Sequence, residues 1–149
     1  MLQHLLYQSD RLPGAAEKEA IIQFLFEHLN QYGDPAADIE KAVDYALSGD
    51  ALAGGFVLCL REGNELLAAA VVNHTGMKGY IPEYILVYIA THVHRRGQGL
   101  GKQLMQQVLD QAQGDIALHV EPDNPAKRLY EKLGFTNKYL EMRLSRAGK

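Results

Sequence analysis

Apolar and polar positions along this chain change period several times, and each change marks an element. Residues 2–8 read as a first strand, broken at Pro13-Gly14. Ile21, Leu25, Phe26 and Leu29 then fall on one stripe of a helix over 16–31. Gly33-Asp34-Pro35 ends it; Asp34 is placed to cap the next helix, with Pro35 at that helix's first position. Ile39, Val43 and Leu47 recur at helical spacing until Gly49. Two apolar runs, 55–61 and 66–74, flank Glu62-Gly63-Asn64-Glu65 and predict a β-hairpin. Pro82 precedes a nearly continuous apolar run over 83–91, the pattern of a central strand covered on both faces. Leu100, Leu104 and Val108 keep register along a helix over 98–113, and 115–120 reads as a strand. Residues 91–115 therefore form a β-α-β crossover, which demands parallel strands and right-handedness. A short helix over 124–133 and a strand over 138–144 close the pattern. No repeat, low-complexity tract or linker interrupts it, so residues 1–149 are expected to form a single domain.

Composition narrows the class. A chain of 149 residues can build one domain with its own core, and 47% apolar with 22% charged residues is ordinary for a globular protein. No apolar run approaches the roughly 18 residues of a membrane span, and Met1-Leu2-Gln3-His4 lacks the basic start of a signal peptide. Cys59 is the only cysteine, which rules out an internal disulfide and four-cysteine zinc sites and makes the cytoplasm the expected compartment. Its place within Phe56-Val57-Leu58-Cys59-Leu60 reads as core filler rather than a nucleophile. The net charge of −3 hides an asymmetry: residues 1–54 carry nine acidic and three basic side chains, and residues 55–149 carry nine acidic and twelve basic. An acidic chain without a basic stripe argues against nucleic acid as a partner.

The basic part holds the main chemical signal, Arg96-Gly97-Gln98-Gly99-Leu100-Gly101, between the strand over 83–91 and the following helix. Alternate glycines let backbone approach a ligand closely. The first amides of a helix lack internal partners and carry the positive end of its dipole, so strand, turn and helix together seat a phosphate or pyrophosphate. The turn is not a P-loop, because the upstream glycine is missing and Gln103 stands where Ser or Thr is needed. Nor is it a dinucleotide fingerprint, since Lys102 occupies the third glycine position.

The order Arg-x-x-Gly-x-Gly resembles the signature of the GNAT superfamily of acetyl-CoA-dependent N-acetyltransferases. A second block, Leu118-His119-Val120-Glu121-Pro122-Asp123-Asn124-Pro125-Ala126 followed by Leu129-Tyr130-Glu131-Lys132-Leu133-Gly134-Phe135, looks like that family's other signature. The two stand in family order, and the resemblance covers residues 55–135. It implies an α/β GNAT fold: a mixed, mostly antiparallel sheet with a central, splayed parallel strand pair and helices on both faces. It implies acetyl-CoA as acyl donor and a primary amine, on a small molecule or a protein, as acceptor; no metal is expected, because His92-x-His94 has no third ligand nearby. Homodimers are common among such domains, and nothing in the residues fixes a mode. The family often has two strands after Leu-Gly-Phe, whereas fourteen residues follow Phe135 here, room for one long strand or a truncated pair.

Roles carried over from the family fall on particular residues. The backbone of Ile89, Ala90, Thr91 and Val93 would pair with the pantetheine arm. Arg96, Gly97, Gln98, Gly99, Leu100 and Gly101 would cradle the pyrophosphate, and Lys127 or Arg128 would reach the 3′-phosphate. Asn124 would touch the pantetheine, or serve as a helix cap before Pro125. Glu83, thirteen residues before Arg96, matches the offset of a catalytic glutamate in the histone-type branch and is the candidate base. A carboxylate entering an apolar strand is open to a raised pKa through desolvation. His74, His92 and His94 are substitutes for it. Tyr130 matches the family tyrosine beside the cofactor sulfur and is the candidate acid. A rival reading keeps the same fold and turn as a non-catalytic acyl-CoA-binding module.

Overall fold

The structure is a computed structural model describing residues 1–49 and 54–146. The chain divides into two compact units, Met1–Leu118 and His119–Lys149. The first begins with strand β1 (Leu2–Tyr7), helix α1 (Ala15–His28), a 3₁₀ turn at Asn30–Tyr32 and helix α2 (Ala36–Ala46). Strands β2 (Gly55–Glu62), β3 (Glu65–His74) and β4 (Tyr84–Thr91) follow, then a 3₁₀ turn at Val93–Arg95, helix α3 (Leu100–Gln111) and strand β5 (Ile116–Leu118). All five strands lie in one sheet in chain order; β1 to β4 pair antiparallel, and β4 pairs parallel with β5.

Alternation along the strands builds a core on each face. Val57, Cys59, Ala69, Val71, Tyr88 and Ala90 point toward α1 and α2, where they meet Ile21, Leu25, Ile39 and Val43. Leu58, Leu60, Ala68, Ala70, Val72 and Leu86 are buried outside that cluster, and α3 packs on β2, β3 and β4 through Leu104, Met105 and Val108. A bulge changes the alternation inside β4. Val71 faces Tyr88 while Val72 faces Leu86, so Val87 is the extra residue. Leu86 and Tyr88, two apart in sequence, consequently serve opposite faces.

The parallel ladder is short: Tyr84 with Ile116, Ile85 with Ala117 and Leu86 with Leu118. From the bulge at Val87 onward, that edge of β4 carries no strand among the described residues.

Several boundaries differ from the sequence reading. The first helix stops at His28 rather than Gln31, because Asn30 turns to φ +54°, a left-handed conformation that asparagine tolerates. On α1 the inward stripe takes Phe24 and His28, whereas Phe26 is half exposed. Asp34 does not cap α2: Pro35 occupies the cap position without a side-chain bond, and the Asp34 carboxylate is engaged elsewhere. The strand expected over 115–120 is only three residues long.

The second unit holds helix α4 (Ala126–Lys132). The strand expected over 138–144 does not form. Apolar alternation gives that segment a strand pattern, but a strand exists only with a ladder partner, and it has none among the described residues. Tyr139, Leu140, Met142 and Leu144 accordingly stand 72–90% exposed.

Candidate functional site

The turn between β4 and α3 opens on two left-handed glycines and an uncapped helix start. Gly97 and Gly99 both adopt φ +79°, and a Cβ at either would meet nothing within 4 Å, so the turn is open toward its outer side. Gly99 is the N-cap of α3 and supplies no side-chain cap, and no acidic residue stands in the helix's first turn. The leading amides, those of Leu100 and Gly101 among them, thus point outward with the positive end of the dipole and no capping partner among the described residues.

Side chains hold this turn from both sides. Arg95 donates from Nε to Gln98 Oε1 at 3.0 Å and reaches Glu62 and Glu65 of the β2–β3 hairpin at 3.5 and 3.9 Å. Arg96 is exposed and donates from Nη2 to the His28 carbonyl at 2.9 Å, leaving its other nitrogens to solvent or ligand. The amide of His92 donates to the carbonyl of Leu67, the bulge residue of β3, at 2.8 Å. The Val93 amide donates to His28 Nδ1 at 3.2 Å. Of the backbone groups expected to pair with a pantetheine arm, the Val93 N–H is therefore already engaged, while Ile89, Ala90 and Thr91 lie on the stretch of β4 whose outer edge pairs with no strand among the described residues.

His28 was not foreseen. It is buried at the end of α1, against the rings of Phe24 at 4.5 Å and His92 at 4.3 Å, with Nε2 3.2 Å from Glu27 Oε2. Burial holds its pKa below the ordinary imidazole value; His92, Arg96 and His94 add to the depression, and Glu27 opposes it. In sequence it reads only as a polar residue in a last helical turn.

Glu83 lies just before β4, at the end opposite the glycine turn; eight strand residues span about 26 Å. Its Oε1 accepts from the Asp115 amide at 3.4 Å, and its carboxyl packs on Gly114, where any Cβ would collide with it. The structure thus does not bring Glu83 and the turn at 96–101 together. A different carboxylate stands beside the bulge. The Tyr88 hydroxyl, one residue past Val87, donates to Asp34 Oδ2 at 2.5 Å. Burial first, then the Asp34 partner, raises the Tyr88 pKa, so the phenol is the donor of this pair.

In the second unit, Tyr130 is buried on α4 with its ring edge-on to Phe135 at 6.0 Å, and burial pushes its pKa up to about 12. Asn124 Oδ1 accepts from the Ala126 amide at 2.9 Å, but Pro125, not Asn124, holds the cap position of α4, and it makes no side-chain cap bond. Arg128 is exposed, and Lys127 pairs with Glu131 at 3.8 Å. Cys59 is fully buried, with its thiol pushed up to about 12. Among the described residues no cluster of three or more His, Cys, Asp or Glu is set to hold a metal, and no helix is long and apolar enough to cross a membrane.

Residues 20–135 match the model of the acetyltransferase (GNAT) family. No curated protein matches the chain by sequence. Among solved structures, an aminoglycoside acetyltransferase from an uncultured soil metagenomic sample superposes with a TM-score of 0.68 at 15% identity, over 97% of this chain and 98% of that one. A ribosomal-protein-alanine N-acetyltransferase from Brucella melitensis biovar Abortus 2308 gives 0.65 at 15% identity, over 97% and 99%. A transcriptional regulator from Bacillus halodurans C-125 gives 0.65 at 18% identity, over 96% and 99%.

Proposed function

The chain belongs to the acetyltransferase (GNAT) family, and from that premise we propose that it transfers an acetyl group from acetyl-CoA to a primary amine by direct attack in a ternary complex. One observation carries this reading. Two left-handed glycines open onto the uncapped amides of α3, directly after a strand whose outer edge pairs with no strand among the described residues from the bulge onward. That arrangement suits a ligand with a pyrophosphate at one end and an amide-bearing arm at the other, the arm lying along β4 as an added strand.

The chemistry then needs an amine without its proton, a polarised thioester and a stabilised leaving sulfur. An alkylammonium with a pKa near ~10 has no lone pair for attack. Glu83 is the proposed base. Asp34 is a second reading, favoured by its contact with Tyr88 beside the bulge, in the connection between the first two helices. The Tyr130 hydroxyl is the proposed partner of the leaving sulfur. With a pKa of about 12 it stays protonated at neutral pH. A thiolate whose conjugate acid lies near ~8.5 would accept a hydrogen bond from it rather than take its proton. Asn124 and the exposed Arg128 are proposed to assist in holding the cofactor arm and 3′-phosphate. Attack is direct because Cys59, the only thiol, is buried and protonated.

The acceptor is a small-molecule or protein amine. The structural neighbours named for aminoglycosides and for ribosomal-protein alanine support that class without narrowing it. The acidic balance of residues 1–54 favours a cationic acceptor, and the cytoplasm is the proposed compartment. Calorimetric titration with acetyl-CoA, followed by a screen of amines for thiol release, tests the reading. Glu83→Gln, Asp34→Asn and Tyr130→Phe then divide the roles, a true base losing turnover while still binding cofactor. Binding without turnover on any amine would favour a non-catalytic acyl-CoA-binding module. No binding by the folded protein would end the acetyltransferase reading.

A further inference from the structure

We propose that His28 is a positioning residue for the cofactor turn: as a neutral imidazole it holds the chain between β4 and α3 in its anion-binding form, and a proton on it releases that hold. The proposal rests on the acetyl-CoA reading above, because the turn's ligand is the cofactor.

Two contacts from one residue meet the turn. His28 Nδ1 accepts from the Val93 amide at 3.2 Å, and the His28 carbonyl accepts from Arg96 Nη2 at 2.9 Å. Val93 and Arg96 bracket the 3₁₀ turn that delivers the chain from β4 to Gly97. They lie 65 and 68 residues from His28 in sequence, so α1 braces the turn from outside its own segment. The imidazole has little freedom to move away. It is 4% exposed, with the rings of Phe24 and His92 both packed against it and 6.3 Å from each other. A buried histidine that merely filled space would need no partner on the turn.

The bond to Val93 fixes the protonation state. A ring nitrogen that accepts a hydrogen bond must keep its lone pair, so the proton sits on Nε2, facing Glu27 Oε2 at 3.2 Å. A second proton would set Nδ1–H against the Val93 N–H, donor against donor. The charged and titratable groups around the ring come from three elements. Glu27, and Glu17 across a cleft of about 370 Å³, stand on α1. Glu65 of β3 lies 3.9 Å from His92 Nε2 and 3.9 Å from Arg95 Nη1. His92, His94 and Arg96 belong to the turn itself. The carboxylate of Glu27 favours a proton on His28, while burial and the turn's own cationic and imidazole groups oppose it; the opposing set prevails, and the pKa is lowered. The imidazole is therefore neutral at neutral pH and yields only on acidification.

Two substitutions separate bracing from filling. In His28→Asn the amide oxygen can stand where Nδ1 stands and accept from Val93 without titrating. In His28→Phe a ring of similar size remains and the acceptor is gone. Wild type and both variants are titrated calorimetrically with CoA from about pH 5.5 to about pH 8, and exchange of the Val93 amide is followed by NMR in the unliganded proteins. The phosphates of CoA titrate in the same window, so the His28→Asn profile is the baseline against which wild type is judged.

The expected result is a wild-type affinity that falls more than that of His28→Asn at the acid end, by less than tenfold at about pH 5.5 because the folded pKa lies below the ordinary value of about 6.5. His28→Phe binds about tenfold more weakly than wild type at the alkaline end. Val93 is protected in wild type and His28→Asn and exposed in His28→Phe. Superimposable wild-type and His28→Asn profiles overturn the proposal and leave the cofactor reading standing. So does undiminished binding by His28→Phe with Val93 still protected. A wild-type protein that protects Val93 yet binds no CoA overturns the cofactor reading, and with it the role of His28 toward that ligand. If His28→Phe does not fold, the wild-type and His28→Asn comparison decides alone.

Discussion

Arg96 uses one guanidinium nitrogen on the His28 carbonyl and stands exposed immediately before the glycine turn. An exposed arginine anchored in this way has already lost part of its rotamer freedom, so less is lost when it meets a phosphate. Arg96→Ala should therefore weaken acetyl-CoA binding by about 10- to 100-fold, the loss of a charge-assisted hydrogen bond worth about 1.5–3 kcal/mol. Calorimetry measures this directly, and Arg96→Lys should fall between the two because it keeps charge without the planar fork. An unchanged dissociation constant in Arg96→Ala would remove the residue from the site. Cys59 makes the opposite point. Its thiol is fully buried and pushed up to about 12, so almost no thiolate exists at neutral pH. A thiol reagent such as a disulfide chromophore should label no sulfur in the native protein and one after denaturation. Fast labelling of the native protein would contradict both the burial and the direct-attack mechanism.

At the scale of the element, α3 combines a packed flank with a deliberately bare N-terminus. Gly99 can be left-handed without cost, whereas an alanine there pays about 1–2 kcal/mol although its Cβ meets no neighbour. Gly99→Ala should lower unfolding free energy by about that amount in urea and weaken cofactor binding as well. Leu104→Ala, on the buried flank, should cost about 2–5 kcal/mol through a cavity and leave the turn intact. The contrast between these two variants checks that the helix's ends and its flank do different work. It also explains which features were legible beforehand. The stripe Leu100, Leu104 and Val108 and the alternating glycines are local patterns, so both could be read from neighbouring residues. The parallel pair followed from the crossover rule, since a strand, helix and strand admit little else. The bulge at Val87 leaves no trace in a run of apolar residues, because it is set by register against β3. The bond from Tyr88 to Asp34 and the brace from His28 join residues 54 or more apart, which no local pattern can reveal. The segment 138–144 failed for the converse reason. Its alternation is correct for a strand, but pairing is a property of two segments and it has only one.

For the molecule as a whole, protonation limits stability from both sides of neutrality. On the acid side the group is His28, whose pKa in the folded chain lies below the ordinary imidazole value of about 6.5. As pH falls past that value the unfolded chain takes up the proton first, so it binds more protons than the fold. The contribution is thus complete above about pH 6.5 and is lost as pH falls through the folded value. On the alkaline side the sign reverses. Cys59 and Tyr130 hold their protons to about 12, against ordinary values of 9.0 and 10.0, and burial raises Tyr7 and Tyr88 as well. There the unfolded chain loses protons first. The contribution is complete below about pH 9 and is lost as pH rises toward about 12. Urea midpoints measured across this range should trace a plateau with a shoulder on each side. Cys59→Ala isolates one component: it lowers stability at every pH by leaving a small void, but it should fall less steeply than wild type above about pH 9. The difference in slope approaches about 1.4 kcal/mol per pH unit where a whole proton separates the two states. Parallel curves for wild type and Cys59→Ala would mean that the thiol titrates alike in folded and unfolded chains, and the buried position of Cys59 in the core facing α1 and α2 would then be wrong.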